Sequence, residues 1–283
     1  MIDTSFWQRL TPQYPEREAR AIIRWVLDVR FGLTLTDIVC GRLAQLSPKE
    51  NAELEAIIRR LELGEPVQYV VGTAFFCGHP LHVEPRVLIP RPETEELCQW
   101  VIADCAIDTP RTILDIGTGS GCIAITLALG IPQSHVTAWD ISDTALRIAR
   151  ANASALGANI TFEHCDALNP PSSTVNDKQS TVDIIVSNPP YICYNERAGM
   201  ARNVLAYEPD EALFVPDADP LLFYSAIACY ATKVLTTEGR LYFEINPLYA
   251  DDTVAMLRNY GFSHIEVRSD AFGKQRLLQA RKI

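Results

Sequence analysis

The chain has 283 residues, 48% of them apolar, enough for two domains or one large α/β domain with a sizeable core. A formal net charge of -10 argues against a protein whose main task is coating nucleic acid by phosphate neutralisation. No apolar run approaches a membrane span, Met1-Ile2-Asp3-Thr4 does not start a basic-then-apolar leader, and the eight cysteines form no C-x-x-C pair, so a cytoplasmic protein with reduced thiols is expected.

The first stretch, to about Leu63, reads as helical. Glu16 to Arg30 carries Ala19, Ile22, Ile23, Val26 and Leu27 at helical spacing. Thr36-Asp37 can start a short helix through Cys40 and Leu43. Ser47-Pro48-Lys49-Glu50 combines a capping serine, a first-turn proline and an acid, and predicts a helix that Gly64 ends. After Glu65-Pro66, Val67 to Val71 and Thr73 to Cys77 are β-rich. Gly78-His79-Pro80 is turn chemistry and Leu81-His82-Val83 returns as a strand, so a β-hairpin is predicted. Acids at Glu93, Glu95 and Glu96 suit the first turn of a helix running to about Ala106.

From Arg111 onward strands and helices alternate. Strands are predicted at Thr112–Ile116, His135–Trp139, Ile160–Glu163, Val182–Ser187, Arg240–Ile245, His264–Arg268 and Gln275–Ala280. Helices are predicted at Cys122–Leu129, Ser142–Leu156, Pro220–Leu235 and Pro247–Tyr260, with an exposed loop at Pro170–Ser180. This alternation implies an open, mostly parallel sheet with helices on both faces.

"LDIGTGSGC" joins the first strand of that sheet to its first helix. Gly117, Gly119 and Gly121, with Thr118 and Ser120 between them, permit a tight turn and close approach of a ligand to the backbone. The following helix aims free N–H groups at the same place. The G-x-G-x-G spacing is not the dinucleotide pattern, and no Lys-Ser or Lys-Thr follows as in a phosphate loop. Asp115 precedes the loop. Asp140 closes the next strand, where an acid reaches ribose hydroxyls, and Asp166 follows the third, within reach of an adenine amino group. A nucleoside-containing cofactor without a pyrophosphate is implied, and S-adenosylmethionine fits.

"VSNPPYICY" follows the fourth strand of the sheet, so Asn188, Pro189, Pro190 and Tyr191 stand at the carboxyl ends where ligands bind. Asn188 offers a side-chain carbonyl. The prolines keep their carbonyls but lack N–H donors, and Tyr191 offers a flat ring. The set suits a planar NH₂ group, as in an amide or an exocyclic base amine. Carbonyl dipoles around that nitrogen stabilise the positive charge it gains as it attacks a sulfonium methyl.

These residues resemble the release factor glutamine methyltransferases. The resemblance covers most of the chain and rests on Gly64 to Leu97 ("GEPVQYVVGTAFFCGHPLHVEPRVLIPRPETEEL"), "ILDIGTGSGCIAI" from Ile113, "NPPYI" from Asn188 and "YEPDEALF" from Tyr207. The Asn-Pro-Pro-Tyr string alone is shared with adenine amino methyltransferases of DNA or RNA; the Ile-Pro-Arg-Pro-Glu-Thr-Glu run points to the glutamine enzymes. The resemblance implies an α/β protein: a seven-stranded Rossmann-like class I methyltransferase domain over 91–283, preceded by a small all-α substrate-recognition domain over 1–66 and a β-hairpin linker over 67–90. It implies S-adenosyl-L-methionine held by Gly117, Thr118, Gly119, Ser120 and Gly121 at its methionine part, Asp140 at the ribose and Asp166-Ala167 at the adenine. Asn188 would touch cofactor and substrate, and Asn188 to Tyr191 would hold a glutamine side chain and carry the catalysis. The implied partner is a class-1 peptide chain release factor, methylated at N5 of the glutamine in its Gly-Gly-Gln motif, with no stable nucleic acid binding and no membrane. A sister group modifies a ribosomal protein instead. The chain departs from the usual pattern at Ala167, where a bulky residue is common, and at Asn246 in "FEIN", where Glu-Ile-Gly is usual; neither is expected to touch the chemistry directly.

Cys77, His79 and His82 lie close together, but alternate strand residues face opposite ways and no fourth ligand is near, so no metal is expected. Arg91 and Glu93 either line the cofactor pocket or pair on the surface. Glu208 and Asp210 read as part of a loop packed over the site rather than as acid catalysts.

Overall fold

The computed structural model describes residues 4–105, 109–171 and 181–283. The chain divides into two compact units. The smaller holds the N-terminal stretch through Thr73 with Val83–Pro85 and Met200–Glu208; the larger holds Ala74–His82, Arg86–Gly199 and Pro209–Ile283.

The smaller unit is built on helices α1 (Thr4–Leu10), α2 (Glu16–Phe31), α3 (Leu35–Val39), α4 (Pro48–Glu62) and α5 (Val67–Val71). Its core joins Trp7, Leu10, Ile23, Val26, Leu27, Leu54, Ile58 and Leu61, the apolar stripes of α1, α2 and α4. At the start of α4 the Glu50 N–H donates to Ser47 Oγ at 3.2 Å and the Ser47 N–H donates to Glu50 Oε2 at 2.8 Å, satisfying two otherwise orphaned donors. Val67–Val71, predicted as β-rich, is instead a helix; Pro66 caps its start, Gly72 ends it in the left-handed region, and Val70 is buried in the helical core.

The hairpin comprises β1 (Thr73–Phe76) and β2 (His79–His82). Its turn is Cys77-Gly78, one residue earlier than predicted. Both residues have positive φ (47° and 80°), the geometry whose twist matches a tight two-residue hairpin.

The larger unit continues with α6 (Pro92–Ala103), β3 (Thr112–Ile116), α7 (Cys122–Gly130), β4 (His135–Asp140), α8 (Asp143–Leu156), β5 (Ile160–His164), β6 (Val182–Ser187) and β7 (Ile192–Cys193). After α9 (Arg202–Tyr207), which belongs to the smaller unit, come β8 (Phe214–Val215), α10 (Leu222–Val234), β9 (Leu235–Glu244), α11 (Ala250–Asn259), β10 (Phe262–Ser269) and β11 (Gln275–Lys282). The predicted helix end at Ala106 lies outside the described residues, as does the predicted loop from 172 to 180. The fifth strand of the predicted series begins at Leu235, not Arg240, and passes through an irregularity in its pairing with β6; Glu238 there has φ 67°.

A seven-stranded sheet runs in the order β10-β11-β9-β6-β3-β4-β5. All pairs are parallel except those of β11, which is antiparallel to β9 and β10. Strand side chains alternate between two cores. Ile113, Val136, Ile184, Val186 and Tyr242 pack with Leu97, Val101, Ile123 and Leu127 of α6 and α7 on one face. Leu114, Ile116, Ile185, Leu241 and Phe243 pack with Tyr224, Ile227, Ala231 and Leu257 of α10 and α11 on the other. The chain moves outward from β3 through β4 to β5, then returns to place β6 on the other side of β3. That reversal is the topological switch point, where an open sheet leaves a crevice beyond its carboxyl ends. No helix among the described residues is long and apolar enough to cross a membrane.

Candidate functional site: two loops at the switch point

The loop after β3 depends on its glycines. Gly117, Gly119 and Gly121 have φ of 77°, 55° and 85°, a region that side chains with a Cβ rarely adopt. A Cβ at Gly117 or Gly119 would meet nothing within 4 Å, so their outer faces border open space. A Cβ at Gly121 would lie 3.1 Å from Ala149 Cβ and from Ile125 Cδ1, so this glycine lets α7 pack closely on α8.

Neighbouring groups hold the loop in place. The Gly117 and Thr118 N–H groups both donate to Trp139 O at 2.9 Å, and the Gly119 N–H donates to Asp140 Oδ2 at 2.8 Å. The Ser142 N–H occupies the other carboxyl oxygen, Asp140 Oδ1, at 2.8 Å. Asp115 is fully buried beneath the loop; its Oδ2 accepts from Thr118 Oγ1 at 2.7 Å and from the Ala124 N–H at 3.2 Å, while Oδ1 has no partner. Burial pushes its carboxyl up to about 7, against those two donors. Burial likewise raises Asp140. Ser120 supplies its backbone carbonyl to Asn152 Nδ2 at 2.9 Å; the same amide group donates to His82 O and accepts from the His82 N–H, so α8 ties the hairpin to the glycine loop.

Asp166 and Ala167 follow β5. Asp166 accepts from the Leu168 N–H at 2.9 Å and from Asn169 Nδ2 at 2.7 Å, while Ala167 packs on the core beside Cys165. The Cys165 N–H donates to Asp140 O, which holds this segment against the end of β4. Ile141, directly after Asp140, is an apolar side chain left 59% exposed at the same edge.

The Asn188–Tyr191 turn leaves β6, the other strand flanking the switch point. Ser187 Oγ donates to Ile116 O at 2.6 Å, coupling the end of β6 to the end of β3. Beyond the turn, the Ile192 N–H donates to Leu213 O and β7 pairs with β8. The turn itself is gripped by side chains that sequence reading missed. Asn188 Nδ2 donates to Thr94 Oγ1 at 3.2 Å, and Thr94 Oγ1 donates to Glu244 Oε2 at 2.5 Å. Tyr191 Oη donates to Glu244 Oε1 at 2.9 Å and accepts from Arg276 Nη1 at 2.9 Å. Arg276 is anchored in turn by Asp270, 3.3 Å away, and approaches Glu93 at 4.0 Å. The arginine beside Glu93 is thus Arg276, a partner that neither reading had named.

Glu244 is completely buried, and desolvation pushes it up to about 7 despite the donations from Thr94 and Tyr191. One signal for it existed in the sequence: a charged residue inside "LYFEI" must find partners once buried. Asn246, one of the two departures from the usual pattern, lies behind the turn. Its side chain is buried, and Nδ2 donates to Tyr191 O at 3.0 Å and to Glu196 Oε1 at 2.8 Å, so the asparagine braces the turn from behind. Among the described residues, no three His, Cys, Asp or Glu side chains are grouped so as to hold a metal ion.

The site residues thus stand at the carboxyl ends of four adjacent parallel strands, β6, β3, β4 and β5. The features present fit S-adenosylmethionine: a glycine loop open on its outer side, an unpartnered buried carboxyl oxygen, a half-buried acid at the ribose position and exposed apolar Ile141 beside it. The loop "GTGSG" offers no basic side chain for a pyrophosphate.

Residues 107–255 match a methyltransferase domain family and residues 6–72 match the PrmC N-terminal domain family. The chain is 44% identical over 275 residues to a release factor glutamine methyltransferase of Bacteroides thetaiotaomicron, covering 97% of each chain. It is 39% identical to one of Flavobacterium psychrophilum, covering 98% of this chain and 96% of that one. Among solved structures, it resembles the 16S rRNA N2 G1207 methyltransferase of Thermus thermophilus in complex with AdoMet and guanosine. That match has 19% identity and a TM-score of 0.54, covers 75% of this chain and 50% of the other, and speaks to fold alone. With a class I methyltransferase fold, two matching family models and relatives similar along nearly their whole length, the chain belongs to the release factor glutamine methyltransferase family.

Proposed function

We propose that the protein transfers a methyl group from S-adenosylmethionine to the side-chain amide nitrogen (N5) of the glutamine in the Gly-Gly-Gln motif of class-1 peptide chain release factors. The observation that carries this reading is Asn188: its Nδ2 is committed to Thr94, so its carbonyl end is turned toward other partners at the switch point. The names of the relatives, at up to 44% identity, support the substrate.

S-adenosylmethionine supplies, when bound, a methyl group on a positively charged sulfur. Residues Gly117 to Gly121 hold its methionine part, Asp140 the ribose hydroxyls, and Asp166 with Ala167 the adenine edge. Ile141, exposed beside Asp140, is suited to cover an adenine face. Asn188 and the Asn-Pro-Pro carbonyls accept both N–H bonds of the glutamine amide, and Tyr191, fixed by its hydroxyl, presents its ring to the amide plane. An amide nitrogen is a poor nucleophile because its lone pair is delocalised. Acceptors fixed in place stabilise the positive charge it develops, and do so without reorganising. Holding the nitrogen in line with the methyl supplies the rest. No base is required before transfer, since the nitrogen gives up its proton readily afterwards.

A single glutamine offers too little surface to select a protein. We assign that selection to the N-terminal domain over residues 1–66, where Leu35, Val39 and Leu63 are exposed apolar side chains.

The test is to incubate the purified protein with methyl-labelled S-adenosylmethionine and, separately, a release factor, a glutamine-containing ribosomal protein substrate and DNA. Label in the release factor is expected. Label only in the ribosomal protein, or only in DNA, overturns the substrate assignment.

A further inference from the structure

The chain of bonds behind the Asn188–Tyr191 turn has a defined polarity. Arg276 has donors only, so Tyr191 Oη, accepting from it at 2.9 Å, must send its own proton to Glu244 Oε1. An ionised Glu244 only accepts, so Thr94 sends its hydroxyl proton to Oε2 at 2.5 Å. The Thr94 oxygen is then left with lone pairs toward Asn188, and only the NH₂ end of that amide can face it. The two ends of an asparagine amide have nearly the same shape and differ only in what they bond. A reversed amide would aim two donors at a substrate NH₂, which is itself a donor.

We propose that Thr94 and Glu244 are positioning residues that fix which end of the Asn188 amide meets the acceptor nitrogen. One buried carboxyl at the end of β9, reached by Thr94 from α6 and by Tyr191 from the turn itself, sets the orientation of both ends of the turn: Asn188 through Thr94, and Tyr191 directly. Its role in turnover rests on the amide-methylation reading above; its structural part does not.

The experiment uses the full-length protein at about pH 8, where Glu244 is ionised, and compares Thr94→Val with Thr94→Ser. The first measurement is NMR of the Asn188 side-chain amide in the absence of substrate. Wild type and Thr94→Ser are expected to show one Asn188 proton shifted downfield and slow to exchange, and Thr94→Val to lose both properties. The second is steady-state kinetics with a release factor and calorimetry with S-adenosylmethionine. Thr94→Val is expected to lower kcat about tenfold, the rate equivalent of one hydrogen bond, with cofactor affinity unchanged, and Thr94→Ser to recover most of the rate. Thermal melts check folding; should the valine variant fail to fold, Thr94→Ala removes the hydroxyl with a smaller side chain. An Asn188 amide signal that is the same with and without the hydroxyl overturns the proposal, as does a serine variant no better than valine. A changed amide signal with no methylation of the release factor by wild type leaves the orientation device standing and instead removes the substrate assignment.

Discussion

The two loops at the switch point are held by different means. The glycine loop is tied to its own neighbourhood: Thr118 to Asp115, three residues away, Ala124 to the same acid, nine away, and Gly119 to Asp140, twenty-one away. The Asn188–Tyr191 turn is held from afar, with Asn188 and Thr94 separated by 94 positions, Thr94 and Glu244 by 150, and Tyr191 and Arg276 by 85. In the proposed function the first loop offers space left by missing side chains, with its N–H groups spent on holding its shape, so its requirements are conformational. In the proposed function the second works with an oriented side-chain amide, so its requirements are a hydrogen-bond polarity that distant residues impose. Damage to the first is therefore expected to show in stability and cofactor binding, and damage to the second in rate.

The largest expected effect belongs to the turn. Asn188→Ala should reduce kcat by about 10²–10³, the usual cost of deleting one preorganised polar group at a reacting centre. Its thermal midpoint should stay close to wild type, because Asn188 is half-buried on a loop. Single-turnover rates alongside a melt decide this, and near-normal turnover would show that the acceptor amide is gripped elsewhere.

The glycine loop should respond in the opposite sense. Gly121→Ala forces an alanine into φ 85° and puts its Cβ 3.1 Å from Ala149 and Ile125. A loss of about 1–2 kcal/mol is expected from the backbone alone, with packing strain added. Gly119→Ala has the same kind of backbone conformation but open space around its Cβ, so it should destabilise less while still weakening cofactor binding. Urea denaturation of both variants ranks them; equal losses would mean that the packing against α8 contributes nothing.

The smallest effect compares one buried acid from each region. Asp115 and Glu244 are both raised by burial to about 7, from ordinary values of 3.8 and 4.5. Between those ordinary values and about 7 the folded state binds more protons than the unfolded one, so these groups make stability fall as pH rises through that window, and have no effect below it. Asp115→Asn should flatten the slope of urea midpoints between about pH 5 and pH 7.5. A wild-type midpoint that climbs over this range, or a slope untouched by the substitution, would contradict the assigned burial effect.

Legibility in the sequence followed the same divide. The glycine loop, Asp140 and the proline turn could be read because each is a short string at a recognisable place in an alternating pattern. Thr94 could be read only as part of a helix start, since nothing within α6 announces a carboxylate on β9. Asn246 could be read only as a departure from the usual pattern, because its contact with Tyr191 O spans 55 positions. Val67–Val71 looked like a strand because its valines favour one. Its burial against the helical core, with Pro66 and Gly72 at its ends, outweighs that weak local preference. The early start of β9 was hidden by Glu238 and Gly239, turn-like residues that sit in the strand's irregular segment.

The most direct single measurement is fragment mass spectrometry of a release factor after reaction with the protein and S-adenosylmethionine. One added methyl, on the side-chain amide of the glutamine in the Gly-Gly-Gln motif, is the expected result. A methyl on any other residue of the factor, or an unmodified factor under conditions where another acceptor is methylated, would contradict it.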